Sequence, residues 1–86
     1  MKPIIFSKHS LTKIEILNTH GLVLSTEFIE VTVRETITVE CGYKNRLIAQ
    51  KELDSNHVLR VVYEETENEL KIITLYPGRK DRYEKH

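Results

Sequence analysis

Cysteine is almost absent from this chain of 86 residues, and its scarcity argues against internal disulfide bonds and cysteine-containing zinc sites. The single Cys41 cannot form an internal disulfide, which fits a reducing compartment, so we expect a cytoplasmic location. Cys41 and the histidines show no zinc-ligand spacing, and no metal site is predicted. Because Cys41 ends an alternating apolar run, we expect its thiol to be buried.

Long apolar runs are also missing. The N-terminus, MKPIIFSKHS, contains only a short apolar run and no cleavage-site pattern, so no signal peptide is predicted. No segment approaches membrane-spanning length, and we expect no membrane partner. A chain of 86 residues has room for one small domain, which we assign to residues 1–86.

Net charge is zero, with 13 basic and 13 acidic residues. Nucleic-acid-binding proteins are usually basic overall, so this balance argues mildly against strong RNA or DNA affinity. The charges are nevertheless segregated along the chain. Residues 2–13 carry lysines without acids and the end from residue 79 is mainly basic, whereas acids collect at 27–40 and 64–69. This distribution predicts a basic face and an acidic face.

The first half of the chain contains one clear helix and one ambiguous segment. Ser7 is a good N-cap for a helix over about 8–19, and Gly21 supplies its stop. Ser25 could likewise cap a helix over 26–34. From 28 to 41, however, β-branched and polar residues alternate as in a strand. The residues alone leave both interpretations open.

Three strands follow, predicted over 44–53, 57–65 and 69–76, with the last ending at Pro77-Gly78. Short connections favour sequential antiparallel pairing, and helices followed by a meander indicate an α+β fold with the helices on one sheet face. Alternation predicts that this face carries Leu47, Ala49, Leu53, Leu59, Val61, Tyr63, Ile73 and Leu75. The other face would carry Arg46, Ile48, Gln50, Arg60, Val62, Thr74 and Tyr76. We expect that second face to be open to solvent or ligand, with Arg60 held in place by its strand.

Four segments carry a family resemblance: FSKHSLTKIE at 6–15, HGL at 20–22, LRVVYEE at 59–65 and ITLYPGRKDRY at 73–83. Their order and spacing resemble a small bacterial and archaeal domain family of unknown function, related to BrnT-type and more distantly RelE-type toxins. The resemblance implies a RelE-like fold, in which two N-terminal helices pack on a four-stranded antiparallel sheet with a short C-terminal element. It also implies a helix at 26–34.

Relatives in the toxin families are ribonucleases neutralised by an antitoxin protein, so the resemblance implies an RNA substrate and an antitoxin partner. The neutral charge of this chain departs from the strongly basic toxins. Metal-independent RNA cleavage by the 2′-hydroxyl needs a base, an acid and cations that stabilise the phosphate charge, and it needs no cofactor. The candidate catalytic residues are Arg60, Arg79, Lys80, Arg82, Tyr83 and His9. The candidate RNA-binding residues are Lys8, Lys13, Arg46 and Tyr76.

Each candidate also has a structural explanation. Arg60 could cover the sheet or pair with a glutamate, the basic tail could be solvated, and His9 could serve its helix. The competing hypothesis is therefore a non-catalytic binding module of the same fold that meets a protein partner. A third is a homodimer formed through an edge strand such as 36–41.

Overall fold

The computed structural model describes residues 2–36, 40–42, 44 and 46–83. Its elements in chain order are β1 (Ile4–Phe6), α1 (Lys8–Thr19), α2 (Thr26–Glu35), β2 (Glu40–Cys41), β3 (Leu47–Glu52), β4 (His57–Glu65), β5 (Leu70–Arg79) and α3 (Lys80–Tyr83). The strands form one sheet in the order β1-β5-β4-β3-β2. The predicted α+β class is confirmed.

The sheet differs from the predicted four-stranded antiparallel arrangement. β2 to β5 pair antiparallel as a meander, but the N-terminal residues 4–6 form a fifth strand that runs parallel to β5. Three residues, all of them apolar, are too few to show the alternation of a strand, and only the return of the chain through α1, α2 and the meander places β5 beside them. The sheet is therefore mixed.

Helix α1 has the predicted limits because both of its ends are specified locally. Ser7 Oγ accepts a hydrogen bond from Ser10 N at 3.1 Å, which satisfies a free N–H of the first turn. The same hydroxyl donates to the Ile73 carbonyl oxygen at 3.0 Å and so ties the helix to the sheet. Past the last turn, Gly21 has a φ of 94°, a left-handed conformation that favours glycine.

The ambiguous segment is a helix, as the resemblance implied, and the strand interpretation is wrong over Thr26–Glu35. Ser25 Oγ caps it by accepting from Phe28 N at 3.1 Å. Ile29 and Val33 are spaced by one turn, and both are buried against the sheet. Burial of this face stabilises the helix more than the β propensity of its residues opposes it. Residues 37–39 of the alternative strand lie outside the described part of the chain.

The core lies between the two long helices and one face of the sheet. Its buried members are Leu24, Ile29, Val33, Ala49, Leu59, Val61, Tyr63, Ile72 and Leu75, and Ile14 and Leu17 of α1 pack against them. One predicted member is wrong. A register shift between Val62 and Tyr63 places Ile72 opposite Tyr63, so Ile72 takes the core position that alternation assigned to Ile73.

The sequence predicted that the last strand ends before Pro77. Strand β5 instead continues to Arg79, with Pro77 opposite Leu59 and Gly78 opposite Val58. β1 pairs only with residues 70–72 of β5, so Pro77 lies at an edge of the sheet, where its missing N–H is tolerated. None of the described helices combines the length and apolar content needed to cross a membrane.

Candidate functional site

The candidate site lies on the sheet face opposite α1 and α2, which we call the Arg60 face. Strand register arranges its side chains around Arg60 in three rows across the sheet, and a fourth row lies beyond them. The three rows are Ile5, Lys71 and Glu64, with Arg46 paired to Glu64; then Thr74, Val62 and Ile48; then Tyr76, Arg60 and Gln50. The fourth row is Gly78, the buried Val58 and Glu52. Adjacent strands of one sheet therefore bring residues from both ends of the chain onto a single surface.

Arg60 is held in place, as expected, but it is not open to solvent. Only 3% of the residue is exposed. Its Nε donates to the Tyr76 hydroxyl at 3.1 Å, and its Nη1 donates to Gln50 Oε1 at 2.6 Å. Further contacts complete its environment. A buried cation requires such partners because desolvation of the charge is costly. The expectation that Arg60 is accessible to a ligand is therefore wrong for this conformation.

The other two rows form an aliphatic strip beside a charged row. Ile48, Val62 and Thr74 are partly buried, although neither long helix covers them. In the charged row, Arg46 Nε lies 3.3 Å from Glu64 Oε2. Ile5 at the end of that row is 43% exposed. The face thus offers apolar surface flanked by charge.

The predicted tail residues do not gather around Arg60 as one group. Lys80 Nζ lies 2.6 Å from Glu52 Oε1, and Arg79 Nη2 lies 3.3 Å from Asp81 Oδ2. Alternation along β5 assigns Arg79 to the face opposite Tyr76. Arg82 is exposed on α3, and the side chain of Tyr83 lies outside what is described. Arg79 and Lys80 therefore each have an acidic partner of their own.

Three further predicted residues, Lys8, His9 and Lys13, lie on α1. This helix packs on the core face, so the sheet separates it from the Arg60 guanidinium. The predicted base His9 and the predicted phosphate-binding Arg60 are consequently not in one site. Periodicity could assign His9 to a helix and Arg60 to a strand, but it could not predict on which side of the sheet the helix packs.

The possible metal ligands and the Cys41 thiol form a separate set of reactive groups. Among the described residues, no three His, Cys, Asp or Glu side chains are grouped as metal ligands. Cys41, expected to be buried, is exposed on the short edge strand β2. The alternating run that suggested burial belongs to helix α2 as far as Glu35, so its alternation does not define a buried strand face at Cys41.

Sequence reasoning missed a groove at the end of α2, lined by Lys2, Val33, Arg34, Tyr63, Glu65 and Leu70. We call it the Tyr63 groove. Tyr63 was assigned only to the core face. The Tyr63 hydroxyl could have indicated this groove from the sequence, because the hydroxyl of a buried tyrosine needs a polar partner or an opening to solvent.

Comparison with known proteins gives no relative: no family model matches the sequence, and neither the curated proteins nor the solved structures contain a significant match. The resemblance to BrnT- and RelE-type toxins therefore stays a prediction.

Proposed function

We propose that this chain is a non-catalytic binding module whose Arg60 face meets a protein partner. The observation that carries the proposal is the partly buried aliphatic strip of Ile48 and Val62, with the exposed Ile5 at the end of the neighbouring row, on a sheet face that neither long helix covers. Protein interfaces combine an apolar centre with a polar rim, which is the arrangement of these rows. Tyrosine is a frequent energetic centre of such interfaces, and the partly buried Tyr76 supplies one on this face.

The charge of the face indicates the chemistry of the partner. The side chains that the structure describes in these three rows include three cations, Arg46, Arg60 and Lys71, and one carboxylate, Glu64. In the fourth row, Glu52 pairs with Lys80, so this pair adds no net charge. A face of net positive charge favours a partner that presents acidic side chains around aliphatic ones. An antitoxin protein of that composition would meet this description.

Toxin-type ribonuclease activity is the second candidate. Its support is the hydrogen bonding of Arg60 to Gln50 and Tyr76, because a preorganised guanidinium suits a phosphate whose charge develops during cleavage. It ranks lower for two reasons. RNA-binding sheets stack two or three bases on aromatic side chains, and Tyr76 is the one aromatic side chain described on this face. The candidate base His9 also belongs to the helical layer.

Site-specific photo-crosslinking tests the proposal in cells that naturally produce the protein. A crosslinking residue replaces Ile5 on the Arg60 face, and the matched control replaces Ile16 of α1; these isoleucines are 43% and 49% exposed. We expect a protein adduct from position 5 and none from position 16. Lys71→Glu should abolish the adduct. Lys8→Glu makes an equal charge change at an exposed residue of α1 and should preserve it.

The same experiment separates the two candidates. RNA crosslinked at position 5, together with cleaved messenger RNA and growth arrest, would replace the binding-module proposal with the ribonuclease proposal. Equal adducts from positions 5 and 16, or none from either, would overturn the assignment of the Arg60 face as the partner surface. Circular dichroism of each purified variant establishes that it is folded.

A further inference from the structure

The Tyr63 groove is distinct from the Arg60 face and lies on the helix side of the sheet. It is bounded by the N-terminal segment, the end of α2, the end of β4 and the start of β5. Its volume is about 300 Å³. This is at the small end of the range for sites that bind small molecules, roughly 300–1,000 Å³.

Tyr63 contributes a phenol hydroxyl to the lining of this groove. The residue is 5% exposed and its ring is part of the core, so its position is fixed. Within the described part of the chain, no group hydrogen-bonds to its hydroxyl, and the hydroxyl is not sealed off from solvent. Burial first, and then the nearby Glu65 carboxylate, raise the pKa of the Tyr63 phenol. The phenol therefore stays protonated and can donate.

Arg34 adds a second set of donors at the rim. Its Nη2 donates to the Lys2 carbonyl oxygen at 2.9 Å, which orients the guanidinium. A guanidinium has five N–H donors in all, so most of them are left for a ligand. Lys2 Nζ is already 2.7 Å from Glu65 Oε2. With two cations and one carboxylate, the groove has a net charge of about +1.

These features select the ligand. Two donors without an adjoining unpaired carboxylate favour an anionic oxygen. The aliphatic walls, Val33 and Leu70, favour a hydrocarbon part. The Glu65 carboxylate and the carbonyl end of α2, which has partial negative charge, oppose a second negative charge. A monoanion with a short aliphatic chain satisfies all of these conditions.

We propose that the Tyr63 groove binds a small organic monocarboxylate. Its carboxylate accepts hydrogen bonds from the Tyr63 hydroxyl and the Arg34 guanidinium, and its aliphatic chain packs against Val33 and Leu70. The site is independent of the partner-binding function proposed for the Arg60 face.

The test is a titration of the full chain followed by nuclear magnetic resonance. The probes are 3-methylbutanoate, its neutral amide and inorganic phosphate. We expect 3-methylbutanoate to shift the resonances of Tyr63, Arg34 and Leu70 with saturation, and the amide and phosphate to leave them unchanged. Equal binding of the amide would overturn the role of the carboxylate. Equal binding of phosphate would overturn the need for a hydrocarbon part, and no saturable shift with any probe would overturn the site.

Two matched variants assign the donor. Tyr63→Phe removes only the hydroxyl and should weaken 3-methylbutanoate about tenfold, the effect of one hydrogen bond to a charged group. The control Arg79→Gln changes an exposed arginine at the other end of β5 and should leave the affinity unchanged. Arg34→Gln should weaken binding at least as much as Tyr63→Phe. An unchanged affinity in Tyr63→Phe, with the fold intact, would contradict the proposed geometry.

Discussion

Replacing Tyr76 with phenylalanine removes a single oxygen atom, and the structure predicts a large loss of stability from that change. The Tyr76 hydroxyl accepts a hydrogen bond from Arg60 Nε at 3.1 Å. Arg60 is only 3% exposed, so water cannot readily replace the lost acceptor. Removing one hydrogen-bond acceptor from a buried charged group costs about 1–3 kcal/mol. A domain of this size is stabilised by roughly 4–13 kcal/mol in total, so the loss is substantial.

Tyr63→Phe is the internal control for this prediction. It deletes the same atom from another tyrosine of the same sheet, but none of the described residues bonds to the Tyr63 hydroxyl. We therefore expect a change within about 0.5 kcal/mol. Both variants keep the ring and delete one phenol oxygen, and among the described residues only the Tyr76 oxygen has a partner, so the comparison isolates the Arg60–Tyr76 interaction from the cost of altering a ring.

Urea denaturation followed by circular dichroism gives the free energy of unfolding for each variant. A double-mutant cycle then tests the cause: in an Arg60→Met background, Tyr76→Phe should cost almost nothing, because the donor is gone. Equal effects of Tyr76→Phe and Tyr63→Phe, or an unchanged cost of Tyr76→Phe in the Arg60→Met background, would refute the reasoning.

Two further predictions concern local structure. Ser7→Ala should lower the free energy of unfolding by about 2 kcal/mol and Ser25→Ala by about 1 kcal/mol. Both serines cap a helix, but Ser7 also donates to the Ile73 carbonyl; equal urea midpoints in the two variants would rule out that second contribution. The backbone N–H of Asn56, followed by the His57 side chain, lowers the pKa of Asp54 from 3.8. Asp54 therefore stabilises the fold above pH 3.8, and this contribution disappears as pH falls through the lowered pKa. Stability measured from pH 6 to about pH 2 should fall less steeply in Asp54→Asn than in the unaltered chain, and parallel curves would contradict this assignment.

Local signals in the sequence determined several elements. The N-cap Ser7 and the stop at Gly21 gave the limits of α1, and alternation together with flanking turns gave His57–Glu65 as β4. These features depend on neighbours in the chain, so a sequence contains them directly. Local signals did not identify α2. Its β-branched residues favour a strand locally, whereas the burial of Ile29 and Val33, which stabilises the helix, requires a tertiary partner.

Sequence reasoning predicted less of the candidate site than of the fold. Alternation correctly assigned Gln50, Arg60 and Tyr76 to one face, and register then made them direct neighbours across three strands. Whether that face was open could not be predicted, because the exposure of Arg60 depends on everything packed around it. His9 was grouped with Arg60 by its chemistry, although helix packing puts the sheet between them.

By itself, the sequence determined the α+β class, the limits of α1 and β4, and the composition of the Arg60 face, because each follows from local capping, turn chemistry or a two-residue period. Only the tertiary structure decided that residues 4–6 pair in parallel with β5 and that the bulge turns Ile72 towards the core. It also decided that Arg60 is buried and that Lys2, Arg34 and Tyr63 line one groove. These features arise from contacts between segments far apart in the chain, and no local pattern of residues specifies such contacts.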